Sequence, residues 1–377
     1  MPASEFDAAP IKRAVCHTMR TIMHSNRLHL LLPFALPAAA DASMALHDLS
    51  SPALDKLLAR ATLVERVAGE DFQRTLPHER WVARQFGAIA SNGVDEAPLA
   101  PYMLLADGGT PGNEQWACVE PVHVRIAHDH LVLIDPSALD LGDDDAAQLL
   151  ATAKPLIEEL GVKMVAPTPR RWYLTGAALG KLAGASPLRA SGRSIEIWLP
   201  HDAQSGQRSR IWMKLQNEVQ MGWFEHPVNE AREARGLPAV NSIWLHAQGV
   251  AQHVRSPFVR VLSDAAATRG LALAAGTEAA GAPASFDALA PLGAGQTLVE
   301  LEPFAAPFVA QDWAAWQDAL SGLERDWFVP ALEALDTGRL GELALTLGGD
   351  TGSVTLAATR GDLRKFWRRR VLASLFE

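Results

Sequence analysis

The chain has 377 residues, 48% of them apolar and 20% charged, so it is long enough for two domains and too apolar to be disordered as a whole. Lys and Arg number 34 against 43 Asp and Glu, and the net charge of −9 excludes a protein that coats nucleic acid by neutralising phosphates. Two cysteines, Cys16 and Cys118, exclude a disulfide framework and a cysteine-rich zinc site.

In chain order, Ile11–Met23 is compatible with a helix, and Arg27–Pro33 reads as a buried strand ended by proline. The wider apolar run Leu28–Ala40 carries His29, is broken by Pro33 and Pro37, and is too short to span a bilayer. Glu5 and Asp7 stand before it in place of a basic leader, so the expectation is a soluble cytoplasmic protein with no membrane span. Ser51-Pro52 opens a helix with Leu54, Leu57 and Leu58 on its apolar stripe, and Pro77–Ala90 is a second helical stretch.

The character changes near Pro98. Tyr102–Leu105, Val122–Ile126 and Leu131–Ile134 read as strands, the last two joined in a hairpin around His128-Asp129-His130. Asp143, Asp144 and Asp145 then suit the first turn of a helix that runs to Gly161. Lys163–Ala166, Arg171–Leu174 and Ser194–Leu199 follow as strands. Residues 98–200 are thus expected to form an inserted α+β domain between a first core segment, 1–97, and a second, 201–377. Beyond Pro200 come a helix over Arg210–Phe224 and strands at Ser242–His246, Phe258–Leu262, Thr297–Leu301 and Leu343–Leu347. The Ala/Gly/Pro-rich stretch 265–293 reads partly as a flexible connection, and Asp312–Leu335 as a long helix. Strands alternating with helices at this spacing predict an α/β fold whose mostly parallel sheet is covered on both faces.

Few motifs carry chemistry unaided. His128-Asp129-His130 offers two imidazoles and a carboxylate, but a zinc site would need a distant further ligand, and a solvated hairpin turn is the favoured reading. Asp107-Gly-Gly-Thr-Pro-Gly112 lacks the Lys-Ser/Thr of a phosphate loop and reads as a turn. The C-terminal stretch Arg360–Arg370 is basic and amphipathic on a helix, with Leu363, Phe366, Trp367 and Leu372 on one broad face. It reads as a docked terminal helix with solvated cations, and Arg364, Lys365, Arg368, Arg369 and Arg370 are its candidate partner-binding residues. Between Pro200 and Gly249, His, Asp, Asn and Arg side chains gather beside a buried-looking strand. Arg232 there could fork onto a carboxylate or phosphate, while Asn229 could equally cap a helix.

At these residues the sequence resembles the archaeal-type, cofactor-independent phosphoglycerate mutases of the alkaline phosphatase superfamily. The carrying segments are Ser51-Pro-Ala-Leu-Asp-Lys-Leu, Asp135-Pro-Ser-Ala138, Arg171-Trp-Tyr-Leu174, Pro200-His-Asp202, His226-Pro-Val-Asn229 with Arg232 and Gly236, and Asn241-Ser-Ile-Trp-Leu. Closer still, it resembles the bacterial regulatory proteins of the RpfE type. The resemblance implies an alkaline-phosphatase-like core interrupted by a smaller domain. It also implies phosphoryl transfer through a serine activated by two divalent metals. Yet the place of the first metal ligand reads Leu31-Leu-Pro-Phe-Ala-Leu-Pro37, and the place of the nucleophile reads Pro77-His-Glu79-Arg80. Pro303–Val309 supplies no ligand, and of the last metal motif only Asp350 remains.

The expectation is therefore a non-catalytic relative with a regulatory, ligand- or partner-binding role and without cofactor. Its expected anion pocket comprises Arg171, His201, Asp202, His226, Asn229 and Arg232, for a small phosphorylated or carboxylated ligand or a protein partner. The alternative is a metal-dependent phosphoglycerate mutase or phosphatase with rearranged ligands, holding two ions of Mn, Mg or Zn.

Overall fold

The computed structural model describes residues 26–70, 72–90 and 96–376; the helix expected at Ile11–Met23, and Cys16 within it, lie outside the described residues. The strands are β1 (Asn26–Leu36), β2 (Thr62–Val67), β3 (Gln115–Ala127), β4 (His130–Ile134), β5 (Lys163–Thr168), β6 (Arg171–Thr175), β7 (Leu182–Ala183), β8 (His201–Asp202), β9 (Ser242–Val250), β10 (Arg260–Leu262), β11 (Glu278–Ala280), β12 (Gly295–Glu300), β13 (Glu342–Gly349) and β14 (Ser353–Thr359).

β1 lies mid-sheet, parallel to β12 on one side and β13 on the other. That position explains its unbroken apolar run, because a strand covered on both faces has no polar side to show. Leu28, Leu30 and Leu32 enter the core layer under helices Pro52–Arg60 and Trp313–Leu323, while Leu31 enters the layer under helices Pro77–Gln85, Ala100–Ala106 and Ala266–Ala274. His29 is kept inside by Thr346 Oγ1, 2.8 Å from its Nε2, and by the Gln296 amide, 3.1 Å from its Nδ1. The full central sheet runs β11-β10-β12-β1-β13-β14-β2, with β14 alone antiparallel to its neighbours β13 and β2. Pro33 does not end β1; the strand passes through an irregularity between Leu32 and Leu36, with Phe34 at φ 58°. A bulge accommodates the proline that a regular ladder would reject.

A second, antiparallel sheet is built on β3, which pairs with β4, β6 and β9, with β5 outside β6. Alternation assigns its faces. Ala117, Val119, Trp172 and Leu174 pack under helices Asp143–Glu159 and Arg210–Trp223, while Trp116, Cys118 and Tyr173 look back toward the core helices. The mixed α/β architecture with a mostly parallel central sheet is thus the one expected from the sequence. The expected break at residue 200 does not follow the sheets, because β9 and the helices Arg210–Trp223 and Pro227–Ala234 complete the second layer. Tryptophan use has a packing cause: Trp81, Trp116, Trp172, Trp212, Trp223, Trp244, Trp316 and Trp327 are all fully buried.

Four local expectations are corrected. Tyr102–Leu105 belongs to the helix Ala100–Ala106, with Pro101 in its first turn; a short apolar run has no period that separates helix from strand. Ser194–Leu199 forms turns, with Ile195 and Trp198 buried at a helical three-residue spacing and Ile197 exposed. The stretch 265–293 is not an open connection: alanine favours the helix Ala266–Ala274, and β11 extends the sheet. Gly270 is required in that helix, since a Cβ there would strike the Tyr102 carbonyl of the crossing helix.

The fourth correction is the C-terminus. Residues 360–370 form only a short 3-10 turn, Asp362–Arg364, followed by irregular chain. The Arg60 guanidinium takes the carbonyls of Lys365 (2.9 Å) and Arg368 (2.6 Å), acceptors that a helix would have used itself. Arg368 and Arg370 return bonds to Arg60, Leu58 and Ala61 carbonyls, Lys365 bonds Asp362, and Leu372 and Leu375 are buried. Phe366 and Trp367 stay exposed, packed edge-on against each other. Arg60→Ala is expected to cost about 1–2 kcal/mol and to speed tryptic cleavage between residues 364 and 370. An unchanged cleavage rate would show that this guanidinium does not hold the segment.

Among the described residues no helix is long and apolar enough to cross a membrane.

Candidate functional site

The carboxyl ends of the parallel strands, the usual ligand side of an open α/β sheet, face the second sheet across a cleft. One cavity there, of about 410 Å³, is lined by Glu79, Glu120, Asp135, His246 and Glu302 among others. A second, of about 500 Å³, shares Glu79, Ser186 and His246 with it and continues past Arg74 and Glu96.

Glu79 is placed by its helix. Pro77 starts Pro77–Gln85, and the Glu79 carboxylate reaches back to accept the Leu76 N–H at 2.7 Å. Burial raises its pKa, against the lowering effect of that bond and of His246 and Arg189. Glu300 ends β12 and accepts from the Ser263 hydroxyl at 2.6 Å; burial pushes it up too. Glu302 follows and is pushed up to about 8, first by burial and then by Glu300, Glu79, Asp264 and Asp135. His78 goes the other way, down to about 3, through burial and then Arg189. Donor atoms of His78, Glu300 and Glu302 lie within 4.8 Å of one another, enough for one cation. Carboxyls crowded in this way resist ionising together unless a cation enters, so the cleft favours a cation or a neutral hydrogen-bonding group over an anion.

None of the six residues of the expected anion pocket lines this acidic cavity, and the six do not converge elsewhere. Arg171 is forked onto Asp107 (2.7 and 2.8 Å), which also accepts from the Tyr173 hydroxyl at 2.5 Å. Asp202 closes a turn by accepting from Gln204 and Ser205, and His201 beside it pairs β8 with β7. His226 caps the helix Pro227–Ala234, with Nδ1 accepting from Val228 N–H and Nε2 on Thr152 Oγ1. Asn229 bridges the Trp223 carbonyl and both backbone groups of Val240. Arg232, wholly buried, donates to the carbonyls of Pro238, Asp140 and Leu139. In the structure these side chains bond to backbone groups and to neighbouring side chains as caps and packing contacts, and they do not meet around a common space. The His128-Asp129-His130 motif is a hairpin turn with His128 at φ 53° and His130 on Asp129, and among the described residues no third ligand joins it.

Asp350 does lie at the carboxyl edge, after β13, but its partners are cations. Arg189, with 4% of its side chain exposed, donates to Oδ1 at 3.0 Å and to the carbonyl at 2.6 Å; Arg193 donates to Oδ1 at 2.8 Å. Glu79 stood out in the sequence only as a replacement for a nucleophile, and Glu300, Glu302, Glu120, His246 and Arg189 were not singled out as site residues. The one available signal was Glu300-Leu-Glu302, two carboxylates at the end of a parallel strand.

No family model and no curated protein matches this chain. Among solved structures, the chain is similar to the PH0037 protein from Pyrococcus horikoshii, with a TM-score of 0.52 and 11% identity over 90% of this chain and 88% of that one. It is also aligned, at a TM-score of 0.43 and 12% identity, with the cofactor-independent phosphoglycerate mutase from Thermoplasma acidophilum, over 93% of this chain and 95% of that one. At such identities the likeness to the Pyrococcus protein concerns the fold alone.

Proposed function

We propose that this chain is a non-catalytic relative of the cofactor-independent phosphoglycerate mutases, of the RpfE regulatory type, acting in the cytoplasm through a partner that enters the acidic cleft. The observation that carries the reading is the pairing of Asp350 with Arg189 and Arg193, which puts two guanidinium groups where the resemblance would place a metal. The donor set does not fit two metals. Position 79 carries a carboxylate in place of a hydroxyl nucleophile, and that carboxylate is committed to the Leu76 N–H. A phosphorylated ligand entering unaided would meet Glu79, Glu120, Asp135 and Glu302, which favours a protein partner presenting a basic or neutral group.

The test is turnover of 3-phosphoglycerate and of a generic phosphomonoester by purified protein with Mn²⁺, Mg²⁺ or Zn²⁺. No turnover above the metal-only blank is expected. The second reading, a metal-dependent mutase or phosphatase with rearranged ligands, draws on the His78–Glu300–Glu302 cluster. Turnover that disappears in Glu302→Gln would establish it and overturn the first.

A further inference from the structure

We infer that Cys118, Glu120 and His246 form a binding site for a single zinc ion, on the core-facing side of the second sheet and open to the cleft through its fourth coordination position.

The register brings the three residues together. Cys118 and Glu120 are two apart on β3 and so share a face, and Cys118 lies opposite His246 on antiparallel β9. The pairing shifts between Trp116 and Cys118, and Ala247 adopts φ 60°, a bulge that sets the local direction of the strand at His246. Their donor atoms, one thiol sulfur, one imidazole nitrogen and one carboxylate oxygen, all lie within 4.8 Å of one another. Tetrahedral zinc with bonds of about 2.0–2.3 Å places its ligand atoms about 3.3–3.8 Å apart, so the three donors need close only by about 1 Å.

Two independent features mark the cluster as a ligand site. His246 is 5% exposed, and its Nε2 stands 3.4 Å from Glu120 Oε1 without the alignment of a good hydrogen bond. A buried ring nitrogen so loosely partnered is costly unless a better partner takes it. Glu120 and His246 both line the 410 Å³ cavity, so an ion held between them and the buried Cys118 thiol would face open space. One soft and two borderline or hard donors select zinc, or cobalt in its place, over magnesium or calcium. Three protein ligands with one open position are the arrangement of zinc sites that bind water or a small ligand. Behind Cys118, Tyr173 stands opposite on β6 and, with Arg171, is tied to Asp107, which fixes the sheet face around the sulfur. The site is separate from Asp350 and from the His78 cluster, and it stands whether or not the proposed regulatory role does.

The experiment uses full-length, tag-free protein incubated with Zn²⁺ or Co²⁺ and desalted. One equivalent of zinc is expected by elemental analysis, and the cobalt form is expected to show a thiolate-to-cobalt charge-transfer band. The band should vanish in Cys118→Ser and persist in Cys16→Ser. Because a buried serine can disturb the fold, Glu120→Gln and His246→Gln are measured alongside; each should weaken zinc binding by about tenfold or more while the apoprotein keeps its melting temperature within a few degrees. No retained metal, cobalt bound without the thiolate band, or a band that survives Cys118→Ser would each overturn the assignment. Phosphoryl-transfer assays report separately on the proposed function.

Discussion

Replacing Arg232 by methionine is expected to destabilise the protein by on the order of 3–4 kcal/mol, although methionine fills much of the same volume. The guanidinium has no exposure and donates to three carbonyls, at 3.0 Å to Pro238, 3.2 Å to Asp140 and 2.5 Å to Leu139. These carbonyls come from two loops on either side of the helix Pro227–Ala234, so one side chain ties the helix to the hairpin region and to the chain leading into β9. Methionine leaves the acceptors in an apolar pocket with no donor. Lysine, lacking the planar fork, should recover only part of the loss. Thermal and denaturant unfolding check this, with a fall in Tm on the order of 10 °C. An arginine reserved for a ligand would behave differently: its removal would leave stability near wild type and abolish binding. A melting temperature within a degree or two of wild type would therefore restore the ligand-binding reading of this residue.

The same residue shows what a sequence conveys and what it withholds. His226-Pro-Val-Asn229 and Arg232 were legible as a dense polar motif beside a buried strand, and the motif is real. Its chemistry was not legible, because helix capping and anion binding recruit the same side chains: a His before Pro at a helix start, an Asn with two donors and an acceptor, an Arg with a fork. Only the position of Val240, Leu139 and the Pro238 carbonyl decides between them, and those are set by tertiary packing. By contrast β1 and the helical stretch from Trp313 to Thr337 could be read directly, since burial on two faces and a sustained apolar stripe leave a pattern in the residues themselves. The acidic cleft lies at the other extreme. Glu79, Glu120 and Glu302 are spread over a span of more than two hundred positions of chain and belong to different layers. Single carboxylates carry no spacing signal, and each sits in an otherwise ordinary local sequence. The absence of a serine at position 79 was visible; the burial of the glutamate that stands there was not.

Glu302→Gln is expected to become more stable relative to wild type as pH rises, with the difference opening between pH 4.5 and about 8. In the folded protein the Glu302 carboxyl holds its proton up to about 8, against an ordinary 4.5, because burial and the neighbours Glu300, Glu79, Asp264 and Asp135 disfavour its charge. A group raised in this way supports the fold fully below pH 4.5, where both states are protonated, and that support is lost as pH rises through 8, where the folded state must ionise in place. One pKa unit corresponds to about 1.4 kcal/mol, and solvent reaching the Glu302 carboxyl screens part of the shift, leaving a difference on the order of 1–2 kcal/mol at alkaline pH. Glutamine keeps the shape and never ionises, and the variant should therefore match wild type closely at pH 4 and exceed it clearly at pH 9. His29 and His78 act on the opposite limb. Burial lowers both to about 3 from 6.5, so their support is full above pH 6.5 and is lost as pH falls toward 3. His78→Asn should accordingly lessen the acid sensitivity and leave the alkaline limb alone. Thermal unfolding of wild type and both variants in metal-free buffer from pH 4 to pH 9 separates the two limbs. A Glu302→Gln profile parallel to wild type across the whole range would mean that Glu302 ionises normally, and the cleft would then carry that charge at neutral pH and be more hostile to an anionic ligand.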